Sequence, residues 1–394
     1  MTSHPPPGRK AAPILLALAT GGFAIGTTEF ATMSLLPFVA RGLGVDEPTA
    51  GHLVSAYALG VVVGAPVLAV LSARMRRRRL LVSLMLLFAL GNALSAIAPS
   101  YRWMLAFRFL SGLPHGAYFG IAALVAASVL GPERRAVAVG RVMLGLTVAT
   151  IVGVPLANEL GQWAGWRWGF AIVAALALLT ALLVRLFAPD DPAAAGASPM
   201  RELGALRRRQ VWLTLATGAI GFGGLFAVYA YLQSTLTQVT RMAPTATAAV
   251  FALFGIGMTL GNIVVPRFAD RAPTRTATAM LATSAVSLLL FPLAARGVVT
   301  VSLDVLVIGI AASLATVVQT RLMDVAGEAQ ALAAALNHSA FNVANAIGPL
   351  LGGLAIAAGW GWASNGYVGC ALALLGLVMW AWTVADARRV SGPA

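Results

Sequence analysis

Twelve apolar runs divide the chain, at residues 13–40, 49–72, 80–98, 102–129, 138–161, 167–188, 211–236, 245–266, 275–295, 298–320, 330–357 and 365–385. A helix needs about 20 apolar residues to cross the hydrocarbon core of a bilayer, so each run predicts one membrane-spanning helix. Polar residues inside the runs are few, and the most telling is Glu29 in the first. At helical spacing it shares a face with Gly22, Gly26 and Met33, small or flexible residues that let another helix approach. A charge at bilayer depth costs at least about 2.5 kcal/mol and therefore faces a protein interior or a wet cavity. Glu29 is the first candidate for an ion or substrate path.

Composition supports the membrane reading. Of 394 residues 59% are hydrophobic and 10% charged, against about 25% charged in soluble domains, which excludes a water-soluble fold. The net charge of +14 is nearly all arginine, with Lys10 the single lysine. In all, 21 of the 27 basic residues fall in gaps that alternate to one side, headed by Arg74, Arg76, Arg77, Arg78 and Arg79. Cytoplasmic loops carry such an excess, so the charge predicts orientation and does not call for a nucleic-acid partner. The opposite gaps hold Arg41, Arg102, Arg167, Arg241 and Arg296, together with Trp103, Trp163, Trp166, Trp168, Trp360 and Trp362, as an outer interfacial belt would. Both termini then lie in the cytoplasm, and the first run, too long for a signal core, is an uncleaved span of a multi-pass inner-membrane protein. The lone Cys370 leaves no internal disulfide and no cysteine-based metal site.

The longest interruption, residues 189–210, is rich in Pro, Ala and charge and splits the chain into six spans and six spans. The organisation read from it is an N-terminal six-helix bundle (1–188), a cytoplasmic linker (189–210) and a C-terminal six-helix bundle (211–394). The halves echo one another. Gly60 and Gly64 before Ala73-Arg74 match Gly257 and Gly261 before Asp270-Arg271 at an offset of 197. Gly153-Val154-Pro155 in the fifth span faces the Gly348-Pro349 and Gly352-Gly353 run of the eleventh at an offset of 194. Internal repeats of this kind build many secondary transporters, with the site near midplane between the halves. The predicted fold is all-α, twelve transmembrane helices in two pseudo-symmetric six-helix bundles.

Helical rise puts Glu29 and Arg108 at a similar depth, roughly 10 Å below the outer surface, so they could pair. Two readings stand: Arg108 tunes the proton affinity of Glu29 as helices move, or the two form a static ion pair. Arg108, Gly112, His115 and Phe119 form one stripe of the fourth span, with His115 near midplane as a proton relay, a solute contact or a hydrogen-bonded packing residue. In the eleventh span His338, Asn342, Asn345 and Pro349 share a face with Asn337 beside it, for solute contact or interhelical hydrogen bonds. Tyr229 and Gln233, one turn apart in the seventh span, add aromatic and polar lining or belong to an interfacial belt. Glu159 and Asp304 rank below these, since either could be shallow and solvated. Walker, HExxH and GxSxG motifs are absent, which argues against an enzyme or an ATP-driven pump.

The residues resemble the major facilitator superfamily, and within it the drug/proton antiporter branch that includes arabinose-efflux, chloramphenicol-resistance and purine-efflux-like permeases. The resemblance is carried by GTTEF around Glu29, AYALGVVVGAP at Ala56 to Pro66, RFLSGLPHGAYFG at Arg108 to Gly120, GLTVATIVGVP, GWRWGF at Gly165 to Phe170, and NVANAIGPLLGG at Asn342 to Gly353. It implies two bundles rocking about a central cavity, Glu29 as proton carrier and Arg108 as the arginine of the fourth-helix motif. The chain departs from the pattern after its second helix, where Ala73 stands in the usual place of an aspartate; that aspartate is kept only in the second-half copy, Asp270. The function expected is proton-coupled export of a small organic solute such as a drug, sugar or nucleobase. The bilayer, the solute and the proton are its partners, no cofactor beyond the proton gradient is needed, and the protein works as a monomer. A symporter or facilitator is the alternative, and a membrane receptor or enzyme the remote one.

Overall fold

In the computed structural model, which describes residues 11–45, 47–190, 198–243 and 246–391, each predicted span is helical and no strand occurs among those residues. No water reaches the hydrocarbon core to bond the backbone, so a helix is the state in which each span satisfies itself. Among the described residues twelve helices are long and apolar enough to cross: α1 (Ala11–Thr32), α2 (Thr49–Leu71), α3 (Arg77–Ala96), α4 (Tyr101–Leu130), α5 (Pro132–Gly153), α6 (Trp166–Phe187), α7 (Arg209–Gln238), α8 (Ala249–Ala269), α9 (Pro273–Ala294), α10 (Val298–Val325), α11 (Gln330–Ala357) and α12 (Trp362–Arg389).

Three spans are irregular. α7 breaks at Phe222, α10 breaks at Ala312 and Ser313, and α5 ends in a π turn, Ala149–Gly153, before the chain continues as the helix Val154–Trp163. Backbone groups freed by such breaks are tolerated only against protein or a cavity, and Phe222 and Ala312 both line the central cavity. The first apolar run holds two helices, because the chain bends at Leu35 into a short helix, Leu36–Leu43. The connecting segment is also partly helical, over Pro199–Leu203 and Gly204–Arg207.

The glycine echo is a repeat of contacts. A Cβ at Gly60 of α2 would strike the Phe109 carbonyl of α4, and one at Gly257 of α8 would strike the Leu306 carbonyl of α10, both partners lying 197 apart. In the reverse direction Gly112 abuts the Tyr57 carbonyl and Gly309 the Phe254 carbonyl, again 197 apart. With lipid outside as apolar as the side chains, close backbone approach through small residues is what holds helices together. One packed cluster is drawn almost wholly from residues 14–188 and another almost wholly from residues 205–380.

The ends of the bundle differ. At the arginine-rich end, where the α2–α3 loop lies, the first-half helices meet the second half tightly. Gly116 and Gly120 of α4 admit α11 at Ala331 and Ala335, and Arg135 binds Asp324 at 2.7 Å and Gln330 at 2.9 Å. At the opposite end Trp103, Trp163, Trp168 and Trp360 are exposed. Trp166, predicted for the same belt, is instead buried, with the Arg167 guanidinium 4.2 Å over its ring.

Candidate functional site

Arg108 is fully buried, yet it does not pair with Glu29: among the described residues neither makes an ion pair. Its Nη1 donates to the Oγ1 of Thr28 at 3.2 Å and, at 3.4 Å, to the Oγ of Ser111. Thr28 in turn donates to the Asn92 amide oxygen at 2.8 Å, and the Asn92 nitrogen donates to the Phe88 carbonyl. The guanidinium also lies 4.5 Å from the Tyr57 ring and 5.4 Å from that of Phe170. A desolvated guanidinium over an aromatic face gains about 2 kcal/mol, which offsets part of the cost of keeping it out of water. Its neighbours Tyr57, Thr28, Asn92 and Ser111 were not singled out in the sequence, although Tyr57 and Asn92 are polar groups inside apolar runs and so carried the signal.

Glu29 faces a central cavity on the helix side next to Thr28. Gly22 and Gly26, on its face of α1, admit α5 at Val142, Leu146 and Ala149; the Met33 side chain lies outside the described residues. The cavity volume is about 80 Å³, room for several waters at roughly 10–15 Å³ each. Glu29 is the single carboxylate among its described lining residues. A third of its lining residues are aromatic: Phe30 from α1, Phe222, Phe226 and Tyr229 from α7, Phe254 from α8 and Phe341 from α11. Phe30 and Tyr229 meet edge to face with ring centroids 6.2 Å apart, joining the two halves beside Glu29.

The polar groups of the wall come from both halves. His115 and His338 lie with ring centroids 5.2 Å apart across the interface between α4 and α11. His115 Nδ1 shares a 2.9 Å hydrogen bond with the Tyr57 hydroxyl, while His338 stacks on Phe119 at 4.4 Å and its Nε2 has no protein partner. Asn337 keeps its amide oxygen unpaired, and Asn342 donates to the His338 carbonyl at 2.9 Å. Asn262 of α8, not singled out in the sequence, joins them and accepts from Thr316 at 2.6 Å. An unpaired buried donor or acceptor is costly, and these two groups of His338 and Asn337 are the unsatisfied polar atoms among the cavity's described lining residues.

Other sequence candidates fall outside. Gln233 is exposed and absent from the lining, because α7 runs on past the end of the cavity by the turn that separates it from Tyr229. Asn345 is half-buried and likewise absent, one turn beyond Asn342 along α11. Asp304 sits between α9 and α10, held by the Ser287 hydroxyl and away from the cavity. The Glu159 side chain lies outside the described residues. The cavity thus gathers Glu29, His115, Tyr229, Asn337, His338 and Asn342, with Arg108 behind Glu29.

Comparison with known proteins agrees with this architecture. The model of the Major Facilitator Superfamily matches residues 18–327 and 230–394. The chain is 42% identical over 369 residues to the inner membrane transport protein YdhP of Escherichia coli (strain K12), covering 93% of this chain and 94% of that protein. It is 33% identical over 346 residues to the chloramphenicol resistance protein of Streptomyces lividans, covering 86% and 87%. Among solved structures, the human organic anion transporter MFSD10 (TETRAN) has the same fold at TM-score 0.73 and 18% identity, over 96% of this chain and 100% of that one.

Proposed function

We propose, from the premise that this chain belongs to the Major Facilitator Superfamily, that it exports a small organic solute in exchange for protons. As a member it is a multi-pass inner-membrane transporter of a small solute and not an enzyme. The observation that carries the finer reading is the location of Glu29: one carboxylate among the described lining of a cavity that is otherwise apolar with imidazole, phenol and amide tips, with a fixed guanidinium one residue behind it. A carboxylate reached by cavity water can exchange a proton, and its charge can be traded against solute in the same space.

In this reading the arginine-rich end is cytoplasmic, as are both termini. The bundles 1–188 and 211–394 rock about the cavity, joined by the segment 189–210. Glu29 takes a proton from the outside and releases it inward as solute leaves. About 2.3 kcal/mol per charge per 100 mV, with about 1.4 kcal/mol per pH unit, sustains a solute gradient of tenfold or more without a cofactor, and one copy suffices. The six aromatic rings of the wall favour a flat aromatic solute or nucleobase, which can stack on them, over a sugar.

The test is a panel of aromatic antibiotics, nucleobases and sugars applied to a pump-deficient host, followed by inverted vesicles with a proton-sensitive dye. Solute addition is expected to release protons from acidified vesicles carrying the native chain and not from those carrying Glu29→Gln. Uptake without proton release would turn the reading toward a facilitator.

A further inference from the structure

We infer that Glu202, in the segment connecting the two halves, takes the place of the carboxylate missing at Ala73 and positions α11 against the first half. The second-half copy of the motif shows what the carboxylate does. Asp270, after α8, accepts from the backbone N–H groups of Ala136 at 2.7 Å and Val137 at 3.3 Å, in the first turn of the helix Arg135–Val148. The first four N–H groups of a helix lack partners within it and carry the positive end of the dipole, so a carboxylate there is held by hydrogen bonds and charge together. A carboxylate of the second half thereby holds a helix of the first.

The repeat calls for the mirror contact, from the loop after α2 to the first turn of α11. The offset of 197 that relates the glycine contacts carries Asp270 to position 73, which is alanine. The contact is nonetheless made. Glu202 accepts from the backbone N–H of Leu332, in the first turn of α11, at 2.9 Å. Its side chain is buried, at 7% exposure, and Arg77 at the start of α3 is a cation acting on it. The short helix Pro199–Leu203 that carries it packs on both α2 and α11. Behind it Ala205 is buried in a cluster with Ala65 and Ala69 of α2, and Arg208 donates to the Val325 carbonyl at 3.3 Å.

The helix so capped carries Asn337, His338 and Asn342 of the cavity wall, so releasing its first turn frees that wall to move with the second half. Glu202 is accordingly a positioning residue, acting through α11, and the connecting segment is part of the closure at the arginine-rich end. The inference rests on the two halves moving relative to one another and not on the identity of the coupling ion.

The experiment uses the full chain in lipid nanodiscs, with Cys370→Ser and spin labels at Met75→Cys and Arg388→Cys, and reads the distribution of distances across the arginine-rich end. Glu202→Gln is expected to raise the population open at that end about three- to tenfold, the scale of a lost capping charge, and adding Ala73→Asp is expected to restore it. Ala73→Asp alone, which removes nothing, is expected to reduce the open population. A distribution unchanged by Glu202→Gln, or by Ala73→Asp in both backgrounds, overturns the inference. If these shifts appear while the native chain takes up solute without releasing protons, the inference stands and the antiport reading falls.

Discussion

Arg108 lies behind Glu29 and not on it: the guanidinium donates to Thr28, the residue before Glu29 in α1, at 3.2 Å, and to Ser111 of its own helix. A direct ion pair would tie the carboxylate to the guanidinium. One residue of separation keeps a compensating charge within the bundle while leaving Glu29 on the cavity wall.

This geometry predicts different outcomes for two substitutions at Arg108. Arg108→Lys keeps the charge but loses the planar group that stacks on Tyr57 at 4.5 Å. It is expected to lower transport roughly tenfold or more, in line with about 2 kcal/mol for a desolvated cation over a ring. Arg108→Ala removes the compensating charge and is expected to abolish solute-driven proton release while solute binding persists. Vesicle proton flux together with equilibrium solute binding checks both.

The two histidines of the cavity are not equivalent. His338 presents an unpartnered Nε2, whereas His115 is already engaged by the Tyr57 hydroxyl. His338→Phe, which keeps the stack on Phe119, is expected to raise KM for the solute about tenfold, since an unmet polar contact is worth about 1–3 kcal/mol. Tyr57→Phe is expected to raise it less, by loosening His115. Transport kinetics with the solute identified by the panel measure the difference, and equal effects of the two substitutions would count against His338 as a direct contact.

Matched damage is expected at matched glycines. Gly112→Ala drives a methyl into the Tyr57 carbonyl, and Gly309→Ala drives one into that of Phe254. Backbone cannot swing aside as a side chain does, so each should destabilise by about 1–3 kcal/mol. Thermal unfolding of the detergent-solubilised protein should show both losses, while Gly51→Ala, a helical position with open space around it, leaves the transition unmoved or slightly raised.

The polar residues outside the cavity supply controls. Asp304→Asn keeps a partner for Ser287 and touches no part of the wall, and Gln233→Ala alters an exposed side chain. Each is expected to leave transport rate and proton coupling within about twofold of native in the vesicle assay, in contrast to Glu29→Gln. A large effect of Asp304→Asn on proton release would mean that the coupling path runs through α10.

Much of this was legible from the chain. Runs of twenty apolar residues can only cross a bilayer as helices, because no other local state satisfies the backbone there. An acid within such a run must find a protein interior, and Glu29 did. The offset of 197 between Gly60 and Gly257 was visible as text, and its contacts repeat in three dimensions at Phe109 and Leu306. The partner of Arg108 was less legible, since rise along a helix gives depth but not the direction in which a side chain points, and Thr28 stood one residue from the acid expected to pair with it.

What the sequence determined by itself was the number of spans, the internal repeat and the presence of a few acids, Glu29 among them, within apolar runs, because these depend only on local composition and on hydrocarbon excluding unmet polar groups. What only the tertiary structure decided was which members of a polar stripe meet the cavity. Tyr229 and Gln233 share a face of α7, and Asn342 and Asn345 neighbour one another on α11, yet in each pair only the first lines the wall. A helix outruns the few turns over which the halves stand apart, so a face continues where the cavity has already closed.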